Sequence, residues 1–164
     1  MERPRRLRRS EALREMVAET RLYPSQLVLP LFLREGTGQV DEIRSMPGIN
    51  RWTLDRLPTL LEQASKFGLK SVALFPKVSE DKKNSQASEA LNTKGLIPEA
   101  IGQIKENFPD LTIFTDIALD PFSSDGHDGL VKNGKVLNDE TVEILARMAV
   151  MHAEAGADFV APSD

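Results

Sequence analysis

The sequence predicts an α/β fold built on a parallel sheet, and three observations carry that prediction. Short apolar runs of strand length alternate along the chain with stretches whose apolar residues recur at helical spacing. Two of the helical stretches stop at a glycine, Gly68 and Gly156, just ahead of the next strand-like run. The composition is that of a globular domain, 40% hydrophobic and 28% charged, and no apolar run approaches the roughly 18 residues of a membrane-spanning helix.

Taken in order, residues 10–18 read as a short helix with Ser10 as a plain N-cap. Three residues on stands Leu13, where a capping box needs Glu or Gln. The first strand is 26–33, the longest apolar stretch, interrupted by Pro30. Residues 34–50, with Gly36, Gly38, Gly48 and Pro47, read as a loop. A helix begins at Thr53, with Pro58 near its first turn and Leu60, Leu61, Ala64 and Phe67 as its apolar stripe. The second strand is 71–75, and the polar segment 76–95 reads as a long loop. A helix over 98–107, with Pro98 in its first turn, precedes the third strand at 111–117. The clearest helix takes Asn138 as N-cap and places Asp139 and Glu140 at its positive end. Val142, Leu145, Ala146, Ala149 and Ala153 line one face. The fourth strand is 158–162.

The chemistry gathers after the third strand. Residues 115–129, TDIALDPFSSDGHDG, hold four aspartates, two serines and a histidine without a Lys or Arg. Crowded carboxylates repel one another, so such a cluster suits either a solvated turn or a site for a cation or an ammonium-bearing ligand. In a parallel α/β sheet functional groups collect at the carboxyl ends of strands. Asp116, Asp120, Ser163 and Asp164 all fall at such ends in this reading. His127, without a second histidine nearby, reads as a structural hydrogen-bonding residue. His152 reads as structural too, its positive charge suited to a helix C-terminus. Lys77 follows a strand end and reads as a solvated loop lysine, and Trp52, Tyr23 and the phenylalanines as core or interface fillers.

Charge is uneven. The whole chain carries −4, yet residues 1–22 hold seven arginines against four glutamates. A basic arm suits phosphate, but little aromatic or glycine interleaving accompanies it, so neither nucleic acid nor membrane is expected as a partner. Zero cysteines exclude disulfides and thiolate metal sites. The charged N-terminus has no apolar core behind it, and the expected location is cytoplasmic.

The wording of 115–129 is more specific than its composition. It closely resembles the metal-site segment of the porphobilinogen synthase, or 5-aminolevulinate dehydratase, family. LVLPLFLREG, SMPGINRWTLD, LFPKV and the closing NDETVEILARMAVMHAEAGADFVAPSD match in the family's order. The resemblance implies an N-terminal arm, residues 1–24, that embraces a neighbouring subunit in an octamer-like homo-oligomer. Leu7, Leu13, Met16 and Val17 would supply its apolar contacts. Residues 25–164 are then the first half, strands one to four, of a (β/α)8 TIM barrel. Such barrels take about 250 residues, so this chain of 164 is expected to be truncated.

The implied reaction condenses two 5-aminolevulinate molecules to porphobilinogen in tetrapyrrole biosynthesis. The two Schiff-base lysines lie on later strands beyond Asp164, and the isolated chain is expected to be inactive. By the same resemblance Asp116 contacts a substrate amino group, Asp120 and Asp128 complete the anionic pocket, and Ser163 lies close to the catalytic lysine. Many members hold zinc through C-x-C-x7-C. Those positions here are Ala118, Asp120 and Asp128, which places the chain with the aspartate-rich, magnesium-dependent type. Asp120 and Asp128 are thus candidate Mg²⁺ ligands, or serve by charge alone. The alternatives are a non-catalytic half-barrel acting with a partner chain, and a metal-dependent hydrolase or nucleic-acid binder. A half-barrel also exposes open edges at its first and fourth strands, which predicts self-association.

Overall fold

The computed structural model describes residues 5–163. The chain opens with helix α1 (Glu11–Met16), whose N-cap Ser10 accepts the Leu13 N–H at 3.3 Å. Strand β1 (Val28–Arg34) follows, then β2 (Val40–Glu42) and β3 (Asn50–Trp52). Helix α2 (Leu57–Lys66) leads to β4 (Ser71–Lys77), and α3 (Leu96–Asn107) to β5 (Thr112–Ile117). A small hairpin, β6 (Val131–Lys132) and β7 (Lys135–Val136), precedes α4 (Asn138–Glu154) and β8 (Phe159–Pro162).

The main sheet runs β2-β3-β1-β4-β5-β8, with every neighbouring pair parallel except β2 against β3. Strand alternation separates two faces. Leu31 and Leu33, Val72 and Leu74, and Ile113 point one way and are buried against Leu57 and Leu61 of α2 and Ile97, Ile101 and Ile104 of α3. The other face is lined by aromatic rings and left uncovered by helices. Phe32 stacks on Phe75 at 5.5 Å and Phe114 on Phe159 at 4.5 Å. This is the α/β architecture expected, a curved half of a barrel with helices on its outer side.

The structure corrects the reading at several points. Residues 34–50 are not all loop: β2 and β3 add to the sheet beside β1, so the first strand is no open edge. The 3₁₀ turns Glu80–Lys82 and Ser88–Leu91 pack the 76–95 segment, burying Val78, Ala87 and Ala90. Phe67 does not belong to the α2 stripe and is 76% exposed, because the helix ends there and Gly68 turns the chain away at φ +83°. Asn138 is the first residue of α4, not its cap. The cap position is Leu137, and Thr141 Oγ1 donates to its carbonyl at 2.6 Å.

The buried face of α4 is Thr141, Leu145, Met148 and His152, whereas Val142 and Ala146 are exposed. His152 carries no helix-end charge. Burial alone pushes its pKa down to about 4, and its Nδ1 has no hydrogen-bond partner. The arm is largely unpacked against this chain, with Leu7, Met16, Val17, Leu22 and Tyr23 exposed and Leu13 half-buried.

Candidate active site

Register explains how distant residues meet. Leu74 pairs with Thr115, so the next step sets Phe75 of β4 beside Asp116 of β5, and Asp116 itself pairs with Ala161 of β8. Phe32 pairs with both Phe75 and Arg51. Arg51, Phe32, Phe75 and Asp116 therefore form a row on the uncovered face, near the carboxyl ends of their strands. They line a cleft of about 370 Å³ together with Lys77, Asp120 and Pro121. Its floor is aromatic and its walls carry both signs of charge.

Ser163 follows β8 directly and lies two residues beyond Ala161, hence on the same face as Asp116. Its Oγ donates to Asp116 Oδ1 at 2.7 Å, which orients the carboxylate that lines the cleft. Asp120 stands at the rim of the cleft. Asp128 is exposed and lies outside the cleft lining. The structure thus brings Asp116, Asp120 and Ser163 together and leaves Asp128 apart. Asp164 lies outside the described residues. Among the described residues, no group of three or more metal-ligating side chains converges.

The aspartate loop is anchored along its length rather than merely solvated. Ser124 N–H donates to the Asn84 carbonyl at 3.2 Å and Asn84 N–H to the Phe122 carbonyl at 3.3 Å, tying it to the loop after β4. Ser123 Oγ accepts from Asp125 N–H, and His127 Nδ1 accepts from Gly129 N–H at 3.0 Å, the structural role expected of that histidine. Leu130 N–H donates to Thr141 Oγ1 at 3.0 Å and hooks the loop's end onto α4. Gly129 is needed for that approach, since a Cβ there would stand 2.8 Å from Val136 Cγ1.

Sequence reasoning missed Asn84, Thr141, Arg51 and Glu35. The Glu35 carboxylate accepts from Lys82 Nζ and from Ser79 N–H, joining the loops after β1 and β4 beside the cleft. Burial works to raise its pKa, but those hydrogen bonds outweigh it and hold the group below the ordinary carboxylate value.

Comparison with known proteins gives one answer. Residues 1–164 match the family described as Delta-aminolevulinic acid dehydratase. The chain is 46% identical to the enzyme of that name from Chlamydia pneumoniae over 162 residues, covering 99% of this chain and 49% of the relative. It is 50% identical to the chloroplastic one from Selaginella martensii, covering 99% and 39%. A crystal structure of the Toxoplasma gondii dehydratase (porphobilinogen synthase) with the reaction product porphobilinogen superposes with a TM-score of 0.94 at 44% identity. That match covers 100% of this chain and 47% of the other. The chain therefore spans about half or less of the length of the proteins it matches. By sequence over its whole length and by fold, it belongs to the delta-aminolevulinic acid dehydratase family.

Proposed function

We propose that this chain supplies the amine-recognising half of a porphobilinogen synthase site. The full polypeptide would condense two 5-aminolevulinate molecules to porphobilinogen with loss of two waters. The observation that carries the reading is the Ser163–Asp116 hydrogen bond at the carboxyl ends of adjacent parallel strands, with Asp120 at the same cleft. In this reading Asp116 holds a substrate ammonium group and is placed to accept a proton from it as the amine becomes a nucleophile. Ser163 positions Asp116. The aromatic floor keeps bulk water from the carbon skeleton, and the lysines that form Schiff bases come from the part of the family protein that this chain does not match.

The donor chemistry of the aspartate loop fits a hard cation. The positions that carry thiolates in zinc-holding members bear Ala118, Asp120 and Asp128 here, and oxygen ligands favour Mg²⁺. Magnesium commonly uses one or two carboxylates and keeps several waters, so it does not need a converging protein cage. Asp120, at the cleft, is the residue we assign to it, with Asp128, exposed and outside the cleft lining, serving by charge alone. When bound it would supply positive charge beside the Asp120 carboxylate. The reading further takes residues 1–24 as an oligomerisation arm and 25–164 as the barrel half. The exposed Leu7, Met16, Val17, Leu22 and Tyr23 support an octamer-like assembly through the arm. No helix among the described residues is long and apolar enough to cross a membrane, and we place the protein in the cytoplasm.

The test is a single polypeptide joining residues 1–164 to the unmatched part of the Toxoplasma dehydratase. It should form porphobilinogen from 5-aminolevulinate, and Asp116→Ala should lower the rate at least ~100-fold, the scale of losing a positioned acid–base group. Mg²⁺ should raise its melting temperature, and the double change Asp120→Ala, Asp128→Ala should remove that rise. A folded but inactive fusion, or an Asp116→Ala variant as fast as its parent, would refute the reading.

A further inference from the structure

Two polar side chains are buried without partners between α4 and β5. Ile113, Thr115 and Ile117 are the buried residues of β5, so Thr115 stands between two isoleucines on the face turned towards the helices. On the other side Leu145 and Met148 of α4 join Ile117 in one apolar cluster, and His152 is the last buried residue of the helix. Thr115 and His152 are each 1% exposed. Thr115 Oγ1 and His152 Nδ1 are the two buried side-chain polar atoms among the described residues that no hydrogen bond reaches. A buried polar group left unmade forfeits its hydration, so a fold keeps two in one layer only where something satisfies both.

Chain geometry sets the two at one level. α4 crosses back between the parallel strands β5 and β8, so it runs antiparallel to both. From Met148 to His152 the helix descends about 6 Å. From Ile117 to Thr115 the strand descends about 6.6 Å. The turn after α4 holds the same level: Ala157 N–H donates to the His152 carbonyl and Asp158 N–H to the Ile113 carbonyl, both at 3.0 Å.

We propose that one internal water bridges Thr115 Oγ1 and His152 Nδ1 and ties β5 to α4 behind the cleft. Water both donates and accepts, as a hydroxyl and a ring nitrogen require. An ion does not suit the place, because His152 is the one ionisable side chain buried among the described residues, and an uncompensated charge there is costly. An apolar occupant would leave both groups bare. Asp116 follows Thr115 directly, and its side chain takes the opposite face, in the lining of the cleft. Thr115 and His152 are thus positioning residues: they hold the strand end whose carboxylate Ser163 orients. This holds whichever ligand the cleft takes.

The experiment measures oxygen-17 relaxation dispersion, which counts waters held longer than the molecule takes to tumble. It compares the 164-residue chain with Thr115→Val, which keeps the side chain's shape and removes its hydroxyl, and with Thr115→Ser, which keeps the hydroxyl. The expected result is one held water fewer in Thr115→Val and none fewer in Thr115→Ser. The Asp116 amide should exchange at least roughly tenfold faster in Thr115→Val, the scale of a buried polar group left unmade, and return to the wild-type rate in Thr115→Ser. In the wild-type chain the nitrogen-15 resonance of His152 Nδ1 should be that of a hydrogen-bonded ring nitrogen, a readout that stands even if Thr115→Val fails to fold. The proposal is overturned by a bare Nδ1 resonance in the wild type, by an equal count of held waters in Thr115→Val, or by Asp116 exchange that Thr115→Val leaves unchanged or Thr115→Ser does not restore.

Discussion

At the scale of single residues, the site is built from one short contact and several anchors. Ser163 Oγ on Asp116 Oδ1 links two strands whose residues are 47 apart in sequence, and only the parallel register brings them together. The placement of Asp116, Asp120 and Ser163 at one end of the sheet was legible because each follows a strand-like run. Asn84 and Thr141 were not, since a lone polar residue outside a motif gives no sign of which loop it will hold. His152 makes a clean pH prediction. Its folded pKa, near 4, lies below the ordinary 6.5 because burial disfavours the charged form. The unfolded chain therefore binds the extra proton first. Stability is full above about pH 6.5 and declines as pH falls towards 4, by a total of ~3 kcal/mol. Urea unfolding between pH 4 and 7 should show this slope in the wild-type chain, and a folded His152→Gln variant should lose most of it. Equal slopes would contradict the assignment.

At the scale of elements, the parallel strands and the long helices were readable from apolar periodicity, to within a residue or two at most ends. The hairpin of β6 and β7 was overlooked although its signal is present: Asn133 and Gly134 take φ values of +51° and +72°, the left-handed pair of a type I′ turn. The face of α4 was misassigned for a different reason. The buried line runs through the polar Thr141 and His152, while Val142, Ala146 and Ala153 stand on the exposed side, so apolar periodicity points to the wrong face. Gly129 tests whether the aspartate loop is held by its junction with α4. Gly129→Ala forces a methyl against Val136 and Thr141, which should cost ~1–3 kcal/mol by overpacking. Faster hydrogen exchange over 122–130 should accompany the loss. An unchanged melting temperature and exchange pattern would show that the loop does not depend on this approach.

At the scale of the whole molecule, the chain is one side of a barrel with its aromatic-lined face open. The family resemblance made that architecture legible before any coordinates, because its motifs run in order through the chain, whereas composition and periodicity alone reach only a parallel α/β sheet. The expected open edge at the first strand was wrong, for 34–50 carries two short strands too brief and too polar to stand out. Among the described residues β8 pairs with β5 alone.

Electrostatics also become clear only at this scale: Arg34 pairs with Asp41, Lys105 with Asp158 and Lys82 with Glu35 and Glu89, while Arg51 and Lys77 face the cleft that Asp116 and Asp120 line. A ligand with an ammonium and a carboxylate suits such a cleft. The most direct measurement is a titration of the isotope-labelled chain with 5-aminolevulinate, followed by backbone amide resonances. The account predicts saturable shifts centred on Asp116, Asp120 and Ser163. Asp116→Asn should weaken binding by roughly tenfold or more, the scale of a charge-assisted hydrogen bond. Shifts scattered elsewhere, or an Asp116→Asn chain that binds as well as the wild type, would contradict it.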